Sequence, residues 1–134
     1  MLLSALIRRG YSGVYTGFDI SEGAIRECKN AFGGLDSASF LVHEWDKGFL
    51  DVPAESIYLG GVLYYLSDRV SFLRSQVESY SPRLVVVQDL RKTECPSAQD
   101  LGASSRICNE FVMPGEAHGD PDLSKRAIYT YDFK

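Results

Sequence analysis

Metal ligands and disulfide partners are scarce in this 134-residue chain. It has three cysteines, Cys28, Cys95 and Cys108, with no C-x-x-C spacing, and two histidines, His43 and His118, far from any of them. An odd, scattered set of thiols argues against a structural zinc site, so no metal is expected, and it points to a reducing, cytoplasmic setting. Long apolar runs are missing too. The opening Met1-Leu2-Leu3-Ser4-Ala5-Leu6-Ile7 ends quickly, and its positive charges, Arg8 and Arg9, follow it instead of preceding it, which fits neither a signal peptide nor a membrane span. There is no excess of positive charge: 14 Lys and Arg stand against 18 Asp and Glu, for a net charge of -4, so nucleic acid is disfavoured as a partner. Internal repeats, low-complexity tracts and a G-x-G-x-x-G turn are all absent, and without that turn a nicotinamide-binding domain is disfavoured.

The chain is 45% hydrophobic and 24% charged, the balance of one ordinary globular domain spanning residues 1–134. Leu2, Leu3, Leu6 and Ile7 share a helical face, with Gly10 placed for a left-handed cap. Val14 to Phe18 reads as a buried strand closed by Asp19. Ser21 can cap a following helix with Ile25, Cys28 and Phe32 on one face, ending at Gly33-Gly34. Ser39 to Val42 is a second strand, followed by His43-Glu44-Trp45-Asp46, where His43 is read as structural. Ser56 to Leu59 is a third strand, terminated by Gly60-Gly61. From Asp68 a helix follows with Val70, Leu73 and Val77 on one face and stops at Ser81-Pro82. Leu84 to Val87 is a continuous apolar run of parallel-sheet type, with Gln88-Asp89 at its end. Lys92 to Ser105 and Pro114 to Asp122 read as loops, Ile107 to Met113 as a strand or short helix, and Ala127 to Phe133 as a final strand.

Strand ends carry the candidate chemistry. Asp19 is either a helix-capping, solvated carboxylate or an acceptor for the two ribose hydroxyls of a nucleotide. Glu44 and the adjoining Trp45 end the second strand, and Gly60 and Gly61 end the third, where paired glycines allow a close backbone approach to a ligand or a tight bend. Repeated strand-to-helix alternation predicts that the strands ending at Asp19, near Glu44, at Gly60 and at Gln88 are parallel neighbours in one sheet, with helices on its faces.

Three stretches together resemble the class I S-adenosylmethionine-dependent methyltransferases of small-molecule type. Tyr15-Thr16-Gly17-Phe18-Asp19-Ile20-Ser21 is similar to the family's second strand, Phe40-Leu41-Val42-His43-Glu44-Trp45 to its third, and Glu55 to Asp68 to its fourth strand and the hinge after it. The resemblance covers about residues 1 to 90. It implies an α/β fold with a Rossmann-like, mostly parallel sheet and S-adenosyl-L-methionine as cofactor. Asp19 and Ile20 would lie at the ribose, Glu44 and Trp45 at the adenine, and Gly60 and Gly61 at the cofactor's rim. It further implies methyl transfer to a small molecule, with Tyr64, Tyr65 and Asp89 on the substrate side and no compulsory catalytic residue. Glu44 and Glu55 replace the aspartates usual in the family. The family's first strand and glycine-rich turn, expected before Leu2, are not in this sequence. An N-terminally truncated domain is therefore expected, with weak cofactor binding and self-association through exposed sheet edges. The alternative is a methyltransferase-like remnant acting as a non-catalytic binding module.

Overall fold

A computed structural model describes residues 2–44, 47–90, 94–112 and 125–133, Leu90 by its backbone alone. The chain divides into two compact units, Met1–Leu50 and Asp51–Lys134.

The first unit runs α1 (Leu2–Arg8), β1 (Tyr15–Asp19), α2 (Glu22–Phe32) and β2 (Ala38–Val42). Helix α1 ends as its sequence demands, with Gly10 at φ 84°, in the left-handed region that a side chain disfavours. Ser21 caps α2, its hydroxyl oxygen accepting from Ala24 N at 3.2 Å. Strands β1 and β2 are parallel, in a register that sets Gly17 opposite Phe40 and Asp19 opposite Val42. Buried Leu3, Ile25 and Phe40 form the core, with Tyr15, Cys28, Phe32 and Ala38 packed against it. The Phe40 ring lies 6.0 Å from both Phe32 and Tyr15, joining helix and sheet through aromatic contacts.

The second unit holds β3 (Ser56–Gly60), a single 3-10 turn (Leu63–Tyr65), α3 (Arg69–Tyr80), β4 (Leu84–Leu90), α4 (Ala98–Leu101), β5 (Ser105–Val112) and β6 (Lys125–Asp132). Its sheet order is β3-β4-β6-β5. Strand β3 is parallel to β4, and β6 runs antiparallel to both β4 and β5. Residues alternate across the sheet, so one face gathers Leu59, Val85, Val87, Asp89, Ala127 and Tyr131, all buried. Asp68 caps α3 through its carboxylate, which accepts from Ser71 N at 3.0 Å, and that hydrogen bond holds the Asp68 carboxyl below the usual range. Of the expected helical face, Leu73 is fully buried while Val70 and Val77 are half-buried, and Gln76 is buried beside them.

Two expectations change. The four strands expected in one sheet pair in two, β1 with β2 and β3 with β4, with no ladder joining the two sheets among the described residues. Lys92 to Ser105 is not all loop: Ser97 and Asp100 form a reciprocal capping box that starts α4. Four residues are too few to show a helical period, which is why the pattern passed as loop. The region of Ile107 is a strand because β6 supplies a partner along its whole length, from Ser105↔Asp132 to Val112↔Lys125. Pro114 to Asp122 lies outside the described residues.

Candidate functional site

In the first unit, Asp19 stands at the carboxyl end of β1, exposed, with one carboxylate oxygen accepting from Ser21 N at 2.8 Å. That bond holds the side chain beside the N-terminus of α2, where the helix dipole favours negative charge. A carboxylate has further acceptor positions beyond the one Ser21 uses, so the group can also receive hydroxyls. Ile20, next in the chain, is 61% exposed. Glu44 is exposed and pairs with Lys47 at 3.6 Å. His43 has a structural place: its backbone N–H donates to Asp19 O, its Nε2 donates to Gly48 O at 2.7 Å, and its ring meets Phe18 edge-on. Trp45 lies outside the described residues.

In the second unit the paired glycines have separate causes. A Cβ on Gly60 would sit 2.9 Å from the Tyr58 ring, which crosses Gly60 so that its hydroxyl can donate to Gln88 Oε1 at 2.6 Å. Gly61 turns the chain with φ 67°, and its N–H donates to Gln88 O at 2.8 Å. The end of β3 is thus tied to the end of β4 by a side chain and by the backbone. Beyond it the 3-10 turn presents Tyr64 and Tyr65, 40% and 75% exposed, with ring centroids 3.8 Å apart. A hydrogen bond with Tyr65, reinforced by burial, pushes the Tyr64 phenol up to about 12.

Asp89 has a different setting from Asp19, although both end a strand. It is 1% exposed, and its Oδ2 accepts from Leu63 N at 2.8 Å and Tyr64 N at 3.3 Å. Arg69, at the start of α3, donates from Nε to Leu63 O at 2.9 Å. Sequence reading passed over Arg69 and placed Gln88 only as a strand end; their polar groups mark contacts only once strands and turn are folded together. No group of three or more His, Cys, Asp or Glu among the described residues could hold a metal ion. Nor is any described helix long and apolar enough to cross a membrane.

No family model matches the chain, and no curated protein does. Solved structures do. The CMeT domain of the citrinin polyketide synthase aligns with a TM-score of 0.68 at 12% identity over 97% of this chain, which spans 41% of that one. The N-methyltransferase NodS from Bradyrhizobium japonicum WM9, in complex with S-adenosyl-L-homocysteine, aligns at 0.64 and 14% identity, with 88% of this chain and 65% of that chain covered. An S-adenosylmethionine-dependent methyltransferase from Mesorhizobium loti aligns at 0.65 and 12% identity, covering 97% and 85%. The chain therefore spans less than two thirds of the length of the first two of these. These alignments show that the chain has the fold of the class I S-adenosylmethionine-dependent methyltransferases.

Proposed function

We propose that this chain serves S-adenosylmethionine-dependent methyl transfer to a small-molecule acceptor. The observation that carries the reading is Asp19: an exposed carboxylate at a strand's carboxyl end, steadied at a helix N-terminus, in a fold whose solved members include one holding S-adenosyl-L-homocysteine. In this reading Asp19 accepts the ribose hydroxyls and Ile20 lies alongside. Glu44 and Trp45 serve the adenine. When bound, the cofactor supplies a methyl group on a sulfonium. The chain then has to orient the acceptor and exclude water, because an in-line displacement gains most from alignment. Tyr64 and Tyr65 offer an aromatic surface for that purpose. The carboxylate acceptors fit the ribose end, and the methionine end lacks a glycine-rich turn in this sequence, so binding is expected to be weak. Three cysteines that form no disulfide fit the cytoplasmic setting proposed with it.

Titration with S-adenosyl-L-homocysteine, followed by calorimetry or amide shifts, tests this. Asp19→Ala should weaken binding by about 1–3 kcal/mol, the scale of losing a charged acceptor. Equal affinity in the two proteins would remove Asp19 from the site. A wild-type chain with no affinity at all would favour the second reading, a non-catalytic binding module, which the missing glycine-rich turn supports.

A further inference from the structure

Among the described residues, the starts of α2, α3 and α4 are capped locally. Ser21, Asp68 and Ser97 each accept a hydrogen bond from an amide three residues on, at the start of α2, α3 and α4. The 3-10 turn Leu63–Tyr65 has Val62 at that position, which makes no side-chain cap hydrogen bond. Its first amides would be unsatisfied next to a fully buried Leu63 side chain, an unfavourable arrangement in the interior. Asp89 reaches them from β4, with Oδ2 on both Leu63 N and Tyr64 N, while Arg69 takes Leu63 O on the opposite side of the same peptide. A buried carboxylate is costly unless hydrogen bonds satisfy it, and here two of them come from the turn itself.

We infer that Asp89 is a positioning residue, a long-range cap that sets the turn and thereby the Tyr64–Tyr65 pair, and that it does not touch the methyl acceptor. This rests on the proposed function for its purpose, since the pair is the surface offered to the acceptor. The geometry itself does not depend on that reading. Two rings 3.8 Å apart on adjacent residues, one of them 75% exposed, keep their arrangement only if the backbone between them is held. Gln88 and Asp89 together hold the chain leading into the pair, through Gly61 N and through Leu63 and Tyr64 N.

The test uses the whole chain and reads the tyrosine pair directly. Near-UV circular dichroism at neutral pH, compared with Tyr65→Phe, isolates the signal of the coupled rings. Asp89→Asn, which keeps the volume but loses the carboxylate, should lose at least half of that signal, while the amide spectrum of β1 and β2 stays as in wild type. Adding Val62→Asp, a local cap, should restore it in the double variant. In the wild-type protein the Leu63 and Tyr64 amides should exchange with solvent at least tenfold more slowly than the intrinsic rates of unstructured amides. Retention of the ring signal in Asp89→Asn would overturn the inference. So would unprotected Leu63 and Tyr64 amides, a measurement that stands even if the variants fail to fold. None of these readouts involves the cofactor, so a chain that binds no S-adenosyl-L-homocysteine would sink the functional reading and leave this one standing.

Discussion

The two units differ in how much they bury. Among the described residues the first has three buried apolar side chains, Leu3, Ile25 and Phe40, beneath a two-stranded sheet. The second has eight besides its buried prolines, from Leu59 to Tyr131, around four strands. Two strands with two short helices are near the lower limit of what holds together in water, whereas β4, paired on both sides, has a core of its own to rest on. The carboxylate proposed for the ribose therefore rides on the lightly built part. The aromatic pair rides on the strongly built part, where a buried acid and an arginine can fix a turn.

Core truncations test this contrast most strongly. Leu73→Ala, at a fully buried position, should cost about 3–5 kcal/mol, and Leu3→Ala about 2 kcal/mol, because Leu3 packs in the smaller core of the first unit. Denaturant midpoints measure both, and a reversed ranking would break the comparison.

Alkaline pH should then act on the second unit. Burial pushes the Cys95 thiol up to about 12 from 9.0 and the Tyr129 phenol up to about 12 from 10.0, and it raises Tyr58 and Tyr131 as well. Above pH 9 the unfolded chain releases protons that the folded chain keeps. Stability is therefore whole below pH 9 and falls as pH rises toward 12. Hydrogen exchange in β4 and β6 between pH 8 and pH 10.5, corrected for intrinsic rates, should show the loss, and constant protection would contradict it.

The smallest effect should not separate the units at all. Glu44–Lys47 and Glu55–Arg83 are exposed pairs at 3.6 and 3.4 Å, so Lys47→Ala and Arg83→Ala should each cost less than about 0.5 kcal/mol. A larger loss at either, removed by added salt, would show that surface charge supports that unit more than its core does.

The positions of the helices and most strands were legible in the residues. Ser21 and Asp68 cap helices where their types predict, Gly10 takes the left-handed cap, and the Leu84 to Val87 run is the doubly paired strand. These are local matters, decided by side chains within a turn or two of one another or by an unbroken apolar run. The candidate site was half legible. Asp19, Tyr64 and Tyr65 are at the surface, where a ligand can meet them, but Asp89 looked like Asp19 in sequence. What separates them is a contact 25 and 26 residues away, which no local pattern encodes.

The sequence by itself determined that strands end in acids and glycines, that helices follow them, and that no metal-ligand spacing is present, because backbone preference, capping and periodicity are short-range. Only the tertiary structure decided that the strands pair in two sheets, that β6 runs antiparallel between β4 and β5, and that Gly60 is small because Tyr58 crosses it. It alone made one strand-end carboxylate a surface acceptor and buried the other as the cap of a turn. Hydrogen-bond satisfaction in an interior is a property of what packs together, and residues distant in the chain supply it.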